Sequence, residues 1–294
     1  MSRERRLELG LVYCSLVWGA TFPLVKDVVG SMPPAALVGW RFTLSALCLL
    51  PWVLRRPRPS AQLKEGLVLG AILLALYLSQ TAGLVYTSAA NSGFITGLFV
   101  LFTPLFLWLF RRKAPSGAQW AASGLAAGGL WLLTGGASGF NRGDALTLVA
   151  AMTYAAHLLA TDAYTRRDSD PVLLAFHQFW VCAAGSFLVA FVTGAPTRVP
   201  SARAWGAVWF LALIPNLSAF FIQLVAQKTV APMRVSLIFS LEPVFAALFA
   251  WTVGGEPCTA LSAVGGALIV AAMMADTVAE HPALKGRLRE VLPV

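Results

Sequence analysis

Between Glu65 and Arg111 the chain runs from Gly66 to Phe110 without one charged residue. At about 1.5 Å of rise per residue, a helix of that length is about twice as long as the hydrocarbon core of a bilayer is thick. The run is therefore expected to form two helices, and the polar stretch Thr87-Ser88-Ala89-Ala90-Asn91 is the place to turn. Backbone groups in lipid must be satisfied within the protein, so such runs are read as helices and not as open strands.

The rest of the chain has the same character. Of 294 residues, 58% are hydrophobic and 12% charged, whereas a soluble domain is about 25% charged. Charges and turn residues divide the sequence into runs of spanning length: Glu8 to Lys26, Pro34 to Leu54 with Arg41 inside it, the two helices of 66–110, Ser116 to Thr134, Ala145 to Ala163, Pro171 to Val192, Trp205 to Gln227, Val235 to Val253, and Thr259 to Ala275. That predicts ten spans. The basic start, MSRERRLELG, leads into an apolar run as a signal peptide does. No small-residue cleavage site follows, so an uncleaved first helix is expected.

The net charge of +9 does not mark a nucleic-acid surface, because the basic residues fall in short clusters between apolar runs. With the N-terminus in the cytoplasm and ten alternating spans, 17 of the 22 Lys and Arg fall on the cytoplasmic side and four (Lys26, Arg142, Arg198 and Arg203) on the other, with Arg41 in a span. Cytoplasmic loops carry such an excess of positive charge, which predicts both termini in the cytoplasm.

The chain also repeats itself. Pro34-Ala35-Ala36-Leu37-Val38-Gly39-Trp40-Arg41-Phe42 in the second run aligns with Pro171-Val172-Leu173-Leu174-Ala175-Phe176-His177-Gln178-Phe179 in the seventh, at a constant offset of 137. Phe102-Thr103-Pro104-Leu105-Phe106 aligns with Leu241-Glu242-Pro243-Val244-Phe245 in the same order. Five is odd, so two five-helix copies insert in opposite orientation. Inverted repeats build transporters whose site lies between the halves near the bilayer midplane.

WGATFPLVKD in the first run, YTSAANSGFITGLFVLFTP across the third and fourth, and LEPVFAALFAWTVGGEPCTALSAVGGALIVAA at the end resemble the drug/metabolite transporter superfamily, in its ten-helix form with two EamA domains. The resemblance covers nearly the whole chain. It departs at Glu242, where many relatives have Ser or Thr before the proline. It implies an all-α membrane protein of ten transmembrane helices, two inverted repeats (1–138 and 139–280) around a central cavity, and a cytoplasmic tail (281–294). It further implies a secondary transporter in a bacterial inner membrane that exports amino acids, apolar or aromatic ones favoured, by alternating access. A multidrug or other metabolite carrier is the alternative cargo class. No cofactor or metal is implied. The partners are a small-molecule substrate and the lipid bilayer, with proton coupling and the choice between monomer and homodimer left open.

Charged groups within a bilayer are costly and mark functional sites by default. Arg41 either packs or anchors a loop, its long side chain able to reach the membrane face, or touches substrate; its repeat partner is Gln178. Glu242, beside Pro243, either binds an amine or proton, or serves as a kink carboxylate paired with Lys228 or Arg234. His157 and His177 are proton relays or hydrogen-bonded packing residues. Trp18, Tyr77, Phe99, Tyr154, Phe220 and Phe239 lie near mid-span with the amides Gln80, Asn216 and Gln223, a mixture suited to an amphipathic solute. Trp18 with Tyr154 is the strongest cavity pair, because the first and sixth runs align there. Pro23, Pro104, Pro215 and Pro243 are expected hinges. Gly124, Gly128, Gly129, Gly265, Gly266 and Ala267 are expected to allow close helix contact. Trp52, Trp108, Trp131 and Trp251 are expected in the interfacial belt. Cys14, Cys48, Cys182 and Cys258 have no metal-type spacing and read as small apolar filler. A membrane enzyme is the main rival class, but the chain carries no HExxH, GxxxxGKS/T or GxSxG motif, which disfavours it; a receptor or scaffold would not need an inverted repeat.

Overall fold

The computed structural model describes residues 3–112, 116–133, 139–167, 169–230 and 232–279. The expected tail at 281–294 lies outside the described residues. Within them the protein is all helix: α1 (Arg3–Val29), α2 (Pro34–Val53), α3 (Leu63–Tyr86), α4 (Ala89–Gly97), α5 (Phe99–Arg111), α6 (Gly117–Leu133), α7 (Arg142–Thr165), α8 (Pro171–Val192), α9 (Ala202–Leu211), a π-helical segment (Ala212–Ala219), α10 (Phe220–Gln227), α11 (Pro232–Phe239), α12 (Glu242–Thr252) and α13 (Ala260–Ala279).

Local chemistry sets the boundaries. Pro33 and Pro34 start α2, and Pro171 starts α8 behind an Asp170 cap that accepts from Val172 N at 2.9 Å. Proline is suited to that first turn, where its missing N–H is not needed. The uncharged run turns at Thr87–Ser88, and the Ser88 hydroxyl accepts from Asn91 N at 3.0 Å. Asn141 and Asp144 form a reciprocal capping box at the start of α7, which satisfies two of the orphan donors there.

By length and composition, seven helical segments among the described residues are long and apolar enough to cross a membrane: Arg5–Val29, Pro34–Val53, Leu63–Tyr86, Ala89–Phe110, Arg142–Thr165, Pro171–Val192 and Ala202–Gln227. The expected count of ten is not reached by that measure. The fifth and tenth runs appear as the shorter apolar helices Trp120–Leu133 and Ala260–Ala272. The ninth is broken at Ser240–Leu241 into α11 and α12. Pro243 is the physical reason: it sits in the first turn of α12, where its ring and absent donor prevent a continuous helix through that point. Pro243 therefore starts a helix instead of kinking one. Pro23, Pro51 and Pro104 stay inside α1, α2 and α5, and Pro215 lies in the π segment.

The most extensive helix pairs are α6 with α13, α3 with α7, and α2 with α8, followed by α3 with α8, α1 with α12, and α4 with α12. In the repeat alignment α2 corresponds to α8, and α6 to α13, so corresponding helices pack on one another. The core includes Phe42, Phe99, Phe179 and Phe239, all fully buried. Large apolar side chains such as Phe110, Phe191, Leu248, Trp108 and Trp131 are exposed, as a lipid-facing surface requires. Trp251 is instead half-buried, packed against Phe94.

Small residues bring α6 and α13 together. A Cβ at Gly265 would lie 2.6 Å from the Leu133 amide and 2.7 Å from the Gly129 carbonyl. Gly266 packs against the Phe94 ring, whereas Gly124 and Gly128 face open space, so these last two do not make the expected helix contact. Gly265→Ala is expected to destabilise the fold by roughly 1–3 kcal/mol through overpacking, and Gly124→Ala to change it by less than about 0.5 kcal/mol, measured by thermal unfolding in detergent.

Candidate functional site

Four helices present stripes at helical spacing to one interior point. Trp18, Thr21 and Phe22 come from α1; Leu73, Leu76, Tyr77 and Gln80 from α3; Tyr154 and His157 from α7; and Phe220 from α10. Glu242, the first residue of α12, completes the lining. Residues three and four apart share a helix face, so one aromatic at mid-span brings its neighbours along. The cavity measures about 30 Å³, room for about one water. Two larger hollows, about 350 and 470 Å³, flank the far end of α1 around Asp27 and Arg203 and share none of these lining residues.

Trp18 is the hub of the wall. Its indole lies 6.3 Å from the Tyr154 ring, 5.3 Å from Phe220 and 5.1 Å from Phe239. Its Nε1 donates to the Pro215 carbonyl at 2.9 Å, so the expected Trp18–Tyr154 pair meets edge to face and is held by the π segment. Phe99 stacks on Tyr154 at 4.3 Å. The Tyr154 hydroxyl donates to Glu242 Oε2 at 3.1 Å. Glu242 does not pair with Lys228 or Arg234. Lys228 donates to the Ser169 carbonyl, and Arg234 pairs with Glu8 near the start of α1.

His157 Nε2 meets Gln178 Oε1 at 2.9 Å, and Nδ1 meets the Thr161 hydroxyl at 3.5 Å. An amide oxygen only accepts, so Nε2 carries the proton and Nδ1 accepts from Thr161. His177 lies away from the cavity. Trp180 Nε1 donates to its Nδ1 at 3.2 Å, which leaves Nε2 to donate to the Pro59 carbonyl at 3.0 Å.

Arg41 does not reach back to a membrane face. It is 2% exposed, its Nη2 donates to Asn216 Oδ1 at 2.6 Å, and its guanidinium lies 4.7 Å from the centre of the Tyr77 ring. Asn216 rides on the π segment, whose wider turns leave carbonyls for other helices to satisfy. Ser45 donates to the Ala212 carbonyl and Cys14 to that of Ala219. Of the expected cavity residues, Trp18, Tyr77, Gln80, Tyr154, His157, Phe220 and Glu242 line the space. Phe99, Asn216 and Phe239 stand behind its walls, and Gln223 is buried outside the lining. Thr21, Phe22, Leu73 and Leu76 were not singled out from sequence; the three- and four-residue spacing from Trp18 and Tyr77 was the signal for them.

Polar clusters close both ends of the helix bundle, about 27 Å apart along α1 between Glu8 and Lys26. At one end the Thr87–Ser88 turn is held from three sides. Lys26 Nζ donates to the Leu84 and Thr87 carbonyls at 2.7 and 2.9 Å. The Thr87 hydroxyl donates to Asp144 at 2.5 Å, and the Glu256 carboxylate accepts from the amides of Ala89 and Ala90 at 2.5 and 3.0 Å. A carboxylate on a helix N-terminus is favourably placed. At the other end Glu8 pairs with Arg234, and Arg166 pairs with Asp162 while donating to the Val230 carbonyl.

The EamA-like transporter family model matches residues 6–135 and again 141–275. This chain belongs to the EamA-like transporter family. An uncharacterized transporter of Archaeoglobus fulgidus is 34% identical over 91% of this chain and 84% of its own. The inner membrane transporter YedA of Escherichia coli is 26% identical over 90% and 89%. A solved crystal structure shares the fold, with a TM-score of 0.69 over 98% of this chain and 99% of the other at 22% identity. This EamA-like chain is thus a multi-pass membrane transporter of small molecules; its Tyr154–Glu242 contact lies within the second matched segment, while Trp18 and Tyr77 come from the first.

Tyr154→Phe removes the hydroxyl that donates to the Glu242 carboxylate. Hydrogen bonds to charged groups contribute about 1.5–3 kcal/mol, so solute exchange in liposomes is expected to fall by about tenfold or more while the protein stays folded.

Proposed function

We propose that this EamA-like protein is a secondary transporter that exports amino acids, apolar and aromatic ones above all, across a bacterial inner membrane by alternating access. The observation that carries the reading is the Glu242 carboxylate set in a cavity of Trp18, Phe22, Tyr77, Tyr154 and Phe220. A carboxylate receives an ammonium group, and the rings receive an apolar side chain.

The cavity supports movement as well as binding. At about 30 Å³ it is far below the roughly 300 Å³ of an ordinary ligand site, so cargo enters only when the walls separate. Trp18 and Tyr77 belong to the first matched segment and Tyr154, Phe220 and Glu242 to the second, so separation of two halves, 1–138 and 139–280, opens the space between them. The Lys26–Thr87–Asp144–Glu256 cluster and the Glu8–Arg234 cluster are then the two gates, one at each membrane face. Ten spans with both termini and the tail 281–294 in the cytoplasm put Lys26 and Glu256 on the outer side. Glu242 and His157 are the groups through which a proton gradient couples, Pro23, Pro104 and Pro215 are the points where helices bend, and the break ahead of Pro243 is a fourth hinge.

Counterflow in liposomes loaded with unlabelled solute tests the cargo. Labelled leucine or phenylalanine is expected to accumulate, with nucleosides and cationic drugs competing at least about tenfold less well. Competition by the drugs alone sinks the amino-acid reading. For the gate, Glu256→Ala is expected to speed modification of a Thr21→Cys reporter by an impermeant thiol reagent added outside, in a background with Cys48 and Cys258 replaced. An unchanged rate removes Glu256 from the gate.

A further inference from the structure

Arg41 is a buried cation without a buried anion. Among the described residues no carboxylate forms an ion pair with Arg41: Glu8 pairs with Arg234, Asp27 with Arg203, Asp162 with Arg166 and Asp170 with Arg56, Asp144 and Glu256 hold the Thr87–Ala90 turn, Glu242 holds Tyr154, and Glu65 lies in the first turn of α3. The guanidinium has the Asn216 amide oxygen at 2.6 Å and the Tyr77 and Phe42 ring faces at 4.7 and 5.6 Å, and its Nε has no hydrogen-bond partner. Holding a full charge by an amide dipole and two ring faces is costly inside a membrane protein.

Packing alone does not call for that charge. At the corresponding place in the other half stands Gln178, equally buried, which holds His157 at 2.9 Å with a neutral amide. An amide at position 41 would tie α2 to Asn216 in the same way. What the guanidinium adds is a positive field, and it adds it at the cavity: the Tyr77 ring it faces is a cavity wall, while Glu242 stands on a different wall. A cation behind one wall and a carboxylate on another favour a dipolar solute, with its ammonium toward Glu242 and its anionic group toward Arg41. The one fixed acceptor of Arg41, Asn216, belongs to the second matched segment and Arg41 to the first. Separation of the halves loosens this contact and leaves the guanidinium to the solute.

We propose that Arg41 is the specificity-determining residue for the anionic group of the cargo, so that the cavity takes carboxylate-bearing amines and rejects the same amines without the carboxylate. This rests on the reading of the central cavity as the amino-acid site. Exchange of phenylalanine, phenethylamine and phenylpropionate is measured in liposomes for the wild type, Arg41→Gln and Asn216→Asp. The wild type is expected to prefer phenylalanine to phenethylamine by about a hundredfold or more, as a site built around a polar group does. In Arg41→Gln, which keeps a side chain able to reach Asn216, the preference is expected to shrink to about tenfold or less through weaker phenylalanine exchange. Asn216→Asp keeps the guanidinium but gives it a fixed counter-ion. It is expected to weaken phenylalanine about tenfold by competing for that charge, with phenethylamine unchanged.

A folded Arg41→Gln protein with the wild-type preference overturns the proposal, as does an Asn216→Asp protein with undiminished phenylalanine affinity. Wild-type exchange of phenylpropionate but not phenylalanine, lost in Arg41→Gln, upholds Arg41 as the anion selector and rejects the amino-acid cargo. Wild-type exchange of amines alone overturns both.

Discussion

In a hydrocarbon surround, a backbone carbonyl or amide without an internal partner has no water to turn to. Every interruption of a helix in this protein must therefore be covered by a side chain from elsewhere, and the covering contacts are what bring the site together. The π segment around Pro215 receives donors at three carbonyls: Ser45 at Ala212, Trp18 at Pro215 and Cys14 at Ala219. Ser15 donates to the Ile238 carbonyl at 3.0 Å, just before the break that precedes Glu242. Glu256 and Lys26 cover the two helix ends at the Thr87–Ser88 turn.

These caps have a second consequence. Trp18 faces the cavity because its Nε1 is spent on Pro215, and Asn216 points to Arg41 because the π segment turns it away from the α-helical register. Glu242 reaches Tyr154 because α12 begins at Glu242 and not several turns earlier. Local irregularity thus places each polar group of the centre, and the surrounding regular helices are held by aromatic contacts and by close approaches such as Gly129 with Gly265. Among the described residues the polar contacts at the two ends are few.

The apolar runs and the turn within 87–91 are legible in the sequence, because hydropathy and turn chemistry are local properties. Sequence reading was less able to separate Phe99 and Phe239, which stand behind the cavity, from Trp18 and Tyr154, which line it. An aromatic residue at mid-span looks the same in either place until the helix rotation is known. Leu73 and Leu76 passed unnoticed for the same reason, since lipid-facing leucines share their composition. Gly124 and Gly128 mislead in the other direction: small residues permit close contact but do not compel it.

Charge and repetition in the sequence determined that this chain is a membrane protein of two related halves, because desolvation is decided by residue type alone and duplication by residue order. Partners for the buried charges were decided only by tertiary structure. Glu242 was open to Lys228, Arg234 or a solute, and Arg41 to a membrane face or the centre; those choices depend on distances between helices that no run of residues contains. The length of the apolar stretch from Gly66 to Phe110 required at least one turn within it, wherever its helices lay. Only the packing around its turn, with Lys26, Asp144 and Glu256 converging there, made that turn a junction between the halves.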